Sequence, residues 1–297
     1  MTIFVYIVLC LIWGSTWIAI KLGLADAPPF WSAAVRFLLA LGILHIILRV
    51  RGAHLPKTLP EWLVHASPGI LMYGVSYASV YSAEQYISSS LTAVLFGSFP
   101  IFVALLSHWL LPSDKLRGYA WPGMALGLAG VVVISWHSLE LSGDLFRGSL
   151  LAVLASLASA TGVVFHKKHA VKVDIVVAAT IQMTLGCTVL LCGAFLTESF
   201  AELIWTPQSI GSILYLAVFG TVIAFLGYYW LMTHINVVSA AMIAFVTPLV
   251  ATLIGVAFFA ESFTLPTAVG AAMILISVAL VSWSRRPQAA VLPPTTL

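Results

Sequence analysis

The sequence predicts an all-α polytopic membrane protein: ten transmembrane helices arranged as two inverted five-helix repeats. Three observations predict it. Only 8% of the 297 residues are charged and 61% are hydrophobic, whereas a soluble domain carries about a quarter charged residues. Lipid must therefore be the main solvent. Apolar runs of about 20 residues, each enough to cross a bilayer at 1.5 Å rise per residue, recur along the whole chain. Finally, the stretch 88–111 (SSSLTAVLFGSFPIFVALLSHWLL) has Pro100 near its middle, and the stretch 236–260 (NVVSAAMIAFVTPLVATLIGVAFFA) has Pro248 in the same place.

The spans, in order, are 3–21, 30–48, 66–84, 88–111, 118–136, 148–166, 174–196, 210–231, 236–260 and 264–283. The first follows two residues with no cationic lead, and no small-residue cleavage site follows it, so it is expected to be retained as a helix. Short loops leave no room for a soluble domain. The longest, around 49–65, carries Arg49, Arg51, His54 and Lys57. The organisation is a first repeat at 1–137, a second at 148–284, and a proline-rich tail at 285–297 expected to be disordered.

Charge sets the orientation. With ten spans, Arg49, Arg51, Lys57, Lys115, Arg117, Lys167, Lys168, Lys172, Arg285 and Arg286 fall on one side. The other side receives Arg147, with Lys21 at a helix end. Positive loops face the cytoplasm, so both termini are expected there. A formal charge of +3 with no basic stripe excludes a nucleic-acid partner; the expected partners are a small molecule and membrane lipids. Cys10, Cys187 and Cys192 lie in apolar runs without CxxC or histidine spacing, so no disulfide, metal or other cofactor is expected.

The repeat is readable by placing Pro100 on Pro248. YSAEQYISSSLTAVLFGSFP then lies on YWLMTHINVVSAAMIAFVTP, pairing Tyr81 with Tyr229 and Ala93 with Ala241. One gap later, WPGMALGLAGVVVISW lies on AVGAAMILISVALVSW, pairing Gly123 with Gly270, Ser135 with Ser282 and Trp136 with Trp283. Spans one to three match six to eight only weakly. Five crossings per copy force the second copy to enter from the opposite side, a common plan for secondary transporters.

WGSTW in the first span, serine-bearing starts of spans four and nine, a proline within each, and glycine-rich spans five and ten together resemble the EamA-type branch of the drug/metabolite transporter superfamily. The resemblance covers about residues 5–136 and 148–284. It implies a ten-helix carrier in the bacterial inner membrane, with a central cavity lined by helices of both halves. Members export amino acids, metabolites and drugs, and the chain looks most like the bacterial exporters of aromatic amino acids and methionine.

The candidate site residues follow from depth and chemistry. A proline displaces the carbonyl four residues earlier, here those of Phe96 and Ala244. Pro100 lies roughly 18 Å into its span, close to the midplane, and Pro248 matches it from the other side. Such carbonyls need a neighbour, water or ligand as partner. Tyr73, Tyr77 and Tyr81 share one face of span three; Tyr73 and Trp230 fit the interfacial belt, whereas Tyr77 and Tyr81 offer hydroxyls and ring faces to a ligand. Trp13 and Trp17 share a face with Lys21, and Tyr228 and Tyr229 lie in span eight. Phe99 and Phe245 add apolar wall.

Ionisable groups inside spans are functional candidates. Arg36 lies in span two, with Gln182 near its repeat position; it faces the cavity or snorkels to the outer surface. Lys21 and Glu84 end helices on the outer side and are positioned to pair. His166, Lys167 and Lys168 finish span six as cytoplasmic anchors, with His166 also within reach of a vestibule. No Asp or Glu lies deep in a span, so proton coupling is not evident and uniport fits as well. No mid-membrane basic cluster suits a phosphorylated substrate. Gly123, Gly127 and Gly130 form a small face for packing against span ten or for a homodimer; a monomer and a homodimer both remain open.

These features point to an exporter of small neutral or zwitterionic metabolites, foremost amino acids, working by alternating access. The alternatives are a lipophilic-cation exporter, which should bury a carboxylate, and a membrane-embedded enzyme, which should converge acids, bases or a nucleophile.

Overall fold

The computed structural model describes residues 1–87, 89–111, 118–134, 145–169, 173–259 and 265–283. The tail 285–297, the loop cations Lys115, Arg117 and Lys172, and the Ser135 and Trp136 repeat pairings lie outside the described residues.

Helices fill the chain. The first half contains α1 (Thr2–Leu24), α2 (Pro29–Arg51), a short α3 (Leu59–Leu63), α4 (Ser76–Tyr86), α5 (Ser89–Phe96), α6 (Phe99–Leu110) and α7 (Ala120–Ile134). The second contains α8 (Leu145–His169), α9 (Ile175–Thr197), α10 (Pro207–Tyr215), α11 (Ala224–His234), α12 (Val237–Ala241), α13 (Ile243–Phe259) and α14 (Leu265–Trp283). Two π-helical segments, Pro68–Val75 and Leu216–Ile223, run straight into α4 and α11. Five helices, Thr2–Leu24, Pro29–Arg51, Phe146–His169, Ile175–Thr197 and Pro207–His234, are long and apolar enough to cross a membrane unaided. Their outward faces carry exposed apolar side chains such as Ile3, Phe4, Ile7, Phe195 and Leu196, which suits lipid as solvent.

The element bounds themselves repeat. Pro68–Val75 falls on Leu216–Ile223 and Ser76–Tyr86 on Ala224–His234, residue for residue at one constant separation. The helices Pro29–Arg51 and Ile175–Thr197 have the same 23-residue length. The weakly matching first part of each half is thus held by backbone geometry where side-chain identity has faded.

Local chemistry explains the ends. α2 starts on Pro29 and stops at Gly52, whose φ of 63° is the left-handed cap glycine accepts without strain. Its N-terminus has no cap of its own, and Glu198, just past α9, accepts from the N–H groups of Phe30 and Trp31 at 2.9 Å each. α9 is capped by its own Asp174, which accepts from Val176 N–H at 2.9 Å. α2 and α9 therefore run antiparallel, with a carboxylate against the positive end of each.

The proline-bearing spans depart from the sequence expectation. The stretch 88–111 is two helices, broken at Gly97 and Ser98, and Pro100 sits in the first turn of α6. A proline there lacks an N–H that would be unpaired anyway, so it starts a helix and does not kink one. Pro248 does lie inside α13. Its span breaks earlier, at Met242, and the Ala244 carbonyl is occupied by the Thr247 hydroxyl at 3.2 Å. The two breaks are therefore neither at the prolines nor symmetric.

The small-residue face of α7 is used within the chain. A Cβ on Gly130 would lie 2.8 Å from the carbonyl oxygen of Gly270, and one on Gly127 would lie 2.5 Å from Ser277 Oγ. α7 and α14 thus approach backbone to backbone. Phe245 belongs to this packing: it is fully buried and presses on Gly127, away from the cavity wall.

Candidate central cavity

A cavity of about 110 Å³ lies between the halves, with room for several waters or one small ligand. α1 supplies Trp13, Thr16, Trp17 and Ile20, a stripe at i, i+3, i+4 and i+7. Met72 and then Ser76, Tyr77 and Val80 of α4 form a second wall, with Phe96 and Phe99 flanking the Gly97–Ser98 break. The second half contributes Ser159 and Val163 of α8, Phe225 and Tyr228 of α11, and Ala240, Ala241, Ile243, Ala244 and Thr247 around the Met242 break. The walls are aromatic: Trp17 meets Phe96 edge to face at 5.6 Å, Phe96 stacks on Phe99 at 5.6 Å, and Trp13 lies 5.1 Å from Tyr228.

One cation lines this cavity. Arg36 is 1% exposed and does not snorkel. Its Nε donates to Thr221 Oγ1 at 2.7 Å, Nη1 to the Tyr81 hydroxyl at 3.2 Å, and Nη2 to the Gly220 carbonyl at 3.1 Å. Its guanidinium carbon lies 5.0 Å from the Tyr77 ring centroid. Gly220 lies within the π-helical segment, and its carbonyl also accepts from Trp13 Nε1 at 3.4 Å. Glycine at 220 leaves room for this contact, since a Cβ would stand 3.1 Å from Arg36 Nη2 and 2.9 Å from Thr16 Cγ2 and crowd both. Every partner of Arg36 is neutral, and among the described residues the ion pair within 4 Å is Arg51 with Asp174. The Tyr228 hydroxyl, also in the wall, has no hydrogen-bond partner among the described residues.

The repeat position of Arg36 is Gln182 on α9, fully buried in a second polar cluster. Gln182 Nε2 meets Nδ1 of His65 at 3.0 Å and Nδ1 of His166 at 2.8 Å. Its Oε1 accepts from the Tyr229 hydroxyl at 2.5 Å, and Tyr229 pairs with Tyr73 at 2.6 Å. With the Gln182 amide oriented this way, the directions follow. An amide nitrogen only donates, so both Nδ1 atoms accept and both rings carry their proton on Nε2. Tyr229 spends its proton on Gln182, so Tyr73 donates to Tyr229. His166 stacks on Tyr229 at 3.9 Å.

The structure brings Trp17, Tyr77, Phe96, Phe99, Tyr228, Ala244 and Arg36 to one cavity. Tyr81 stands behind it, bonded to Arg36. Pro100, Phe245 and Pro248 are not in the wall. Tyr73, expected in the interfacial belt, is fully buried, and His166, expected as an anchor, turns into the bundle. Lys21 and Glu84 do meet, but Lys21 Nζ donates to the Glu84 main-chain carbonyl at 2.8 Å and not to its carboxylate. Thr16, Ile20, Met72, Ser76, Val80, Ser159, Val163, Phe225, Ala240, Ala241, Ile243 and Thr247 were missed. The α1 stripe was readable from its helical spacing; His65, in a short connector with no periodicity, was not.

An α-helical bundle that spans the membrane and encloses a ligand-sized cavity between two repeats is the layout of a membrane transporter. Comparison with known proteins agrees. The profile of the EamA-like transporter family matches residues 1–136 and 146–283. The uncharacterized inner membrane transporter YedA of Escherichia coli (strain K12) is 31% identical over 277 residues, 92% of this chain and 88% of that protein. The uncharacterized transporter YvbV of Bacillus subtilis (strain 168) is 30% identical, covering 95% and 92%. A protein of known crystal structure, 20% identical, shares the fold with a TM-score of 0.79 over 95% of this chain and 96% of its own. The chain belongs to the EamA-like transporter family.

Proposed function

We propose that this transporter exports small zwitterionic metabolites, foremost amino acids with aromatic or other hydrophobic side chains, across the bacterial inner membrane. The halves 1–137 and 148–284 rock against each other to alternate access, and both termini lie in the cytoplasm. The observation that carries the reading is Arg36: a buried cation in the cavity wall whose three hydrogen-bond partners are all neutral. A buried charge is costly until it is paired, and a carboxylate is the partner a guanidinium holds best.

A bound amino acid would place its carboxylate at Arg36 and its side chain among Trp17, Phe96 and Phe99. Its ammonium would lie against ring faces and the unpartnered Tyr228 hydroxyl. The lipophilic-cation reading is weakened, because Arg36 repels a cation and no carboxylate lines the described wall. An enzymatic reading lacks a convergent acid, base and nucleophile in the same wall.

The test is uptake into proteoliposomes across a panel of amino acids and their decarboxylated amines. Phenylalanine, leucine and methionine are expected to move and phenethylamine to be excluded. If no amino acid on the panel moves, or if Arg36→Met carries them as well as the parent protein, the reading fails.

A further inference from the structure

Glu84 is the buried carboxylate that the cavity reading leaves unused. It is 1% exposed; Oε2 accepts from Ser89 Oγ at 3.1 Å, and Oε1 has no hydrogen-bond partner among the described residues. An anionic carboxylate with one dry, unpaired oxygen is strongly disfavoured. Lys21 bonds the main-chain carbonyl of the same residue and forms no ion pair within 4 Å with its carboxylate among the described residues.

The second half supplies a control for what this corner needs structurally. Lys167 Nζ donates to the main-chain carbonyl of Met232, and Lys167 and Met232 stand where the repeat places Lys21 and Glu84. The lysine latch between the first helix of a half and the end of its third span therefore forms with a methionine in the place of Glu84. A carboxylate at 84 is extra to the architecture.

Its placement ties it to the cavity. Ser76, Val80 and Glu84 occupy successive turns of one face of α4, and the first two line the cavity. Lys21 follows the lining residue Ile20, and Ser89 lies two turns before the lining residue Phe96 on α5. About one turn beyond the lining residue Val80, three helices that contribute to the cavity lining thus meet around Glu84. The groups facing it are Lys21 from α1, Ser89 from α5 and, one turn back on α4, Tyr81, which is bonded to Arg36 of α2. Arg147 of α8 is exposed.

We propose that Glu84 is a proton-binding site that gates this end of the cavity. Protonated, the carboxyl is neutral and is buried as seen, with α1, α4 and α5 closed around it. Deprotonated, it draws Lys21 or water onto Oε1 and the three helices part. The inference rests on the cavity being the substrate route, but not on which substrate uses it.

Two substrate-free measurements on the full chain in nanodiscs test it. Infrared difference spectra between acid and alkaline pH should show a protonated-carboxyl band that disappears in Glu84→Gln. A thiol placed in the wall by Ser76→Cys should react with a membrane-impermeant methanethiosulfonate faster as pH rises. In the Glu84→Gln background the same thiol reports only its own ionisation. One pH unit shifts a single-proton equilibrium about tenfold, so the ratio of the two labelling rates should rise by up to that factor per unit through the transition. An unchanged infrared band in Glu84→Gln, or a flat ratio, overturns the proposal. Failure of the amino-acid panel with the pH-dependent ratio intact would overturn the substrate reading alone.

Discussion

Arg36 and Gln182 occupy equivalent places in the two halves, and the fold treats them differently. Each is buried on the second helix of its repeat, and each bonds to the tyrosine that the repeat supplies, Tyr81 or Tyr229. Around Gln182 every hydrogen bond has one allowed direction and each partner is protein. Around Arg36 the partners are neutral and one side opens on the cavity. The same scaffold position thus makes a closed polar knot in one half and an unneutralised charge in the other. Knots of the first kind fix packing; on the proposed reading, the second is where a substrate carboxylate docks.

The comparison is sharpest in a paired replacement. Arg36→Met should reduce amino-acid transport by about 100-fold, because hydrogen bonds to a charged group are worth about 1.5–3 kcal/mol each, while leaving the melting temperature in detergent nearly unchanged. Gln182→Met strips partners from His65, His166 and Tyr229. It should destabilise the fold by about 2–3 kcal/mol and leave the substrate KM alone. A Gln182→Met protein that melts normally but has lost its substrate would reverse the assignment.

The tyrosines repeat the contrast on a smaller scale. Tyr229→Phe removes the central link between Tyr73 and Gln182 and should cost about 1–3 kcal/mol of stability, seen as a lower melting temperature. Tyr81→Phe leaves Arg36 two of its three bonds and should slow transport a few-fold with stability retained. Tyr77→Ala removes the ring beside the guanidinium, a contact worth about 0.5–2 kcal/mol. Transport should fall roughly threefold to thirtyfold, with Tyr77→Phe close to the parent. The prolines should give the smallest effects: Pro100→Ala, in a first helical turn where the ring is neutral, should change transport by less than about twofold. Pro248→Ala restores an N–H inside α13 and should impair transport more than surface expression.

The order of the apolar spans was legible, because a bilayer demands long apolar runs, and five of them are helices long enough to cross it. So was the repeat partner of Arg36, since Gln182 lies where the spans predict. The direction of Arg36 was not legible. Hydropathy reports depth and not the azimuth of one side chain, and what turns Arg36 inward is the Gly220 carbonyl and Thr221, 184 and 185 residues away. The prolines misled for a similar reason. Pro100 reads alike as a mid-helix kink or as the first turn of a new helix, and the Gly97–Ser98 break decides between them. Tyr73 sits near a span end by count, yet its hydroxyl is claimed from 156 residues away by Tyr229.

The two π-helical segments store rotational slack. Each holds wider turns than the helix it feeds, so rewinding one turn to α geometry would swing everything downstream by about 100°. Below Leu216–Ile223 the same helix carries Tyr228 in the cavity wall and Tyr229 on Gln182. Wall and knot hang on one backbone segment and meet directly where Phe225 packs 4.6 Å from Tyr73.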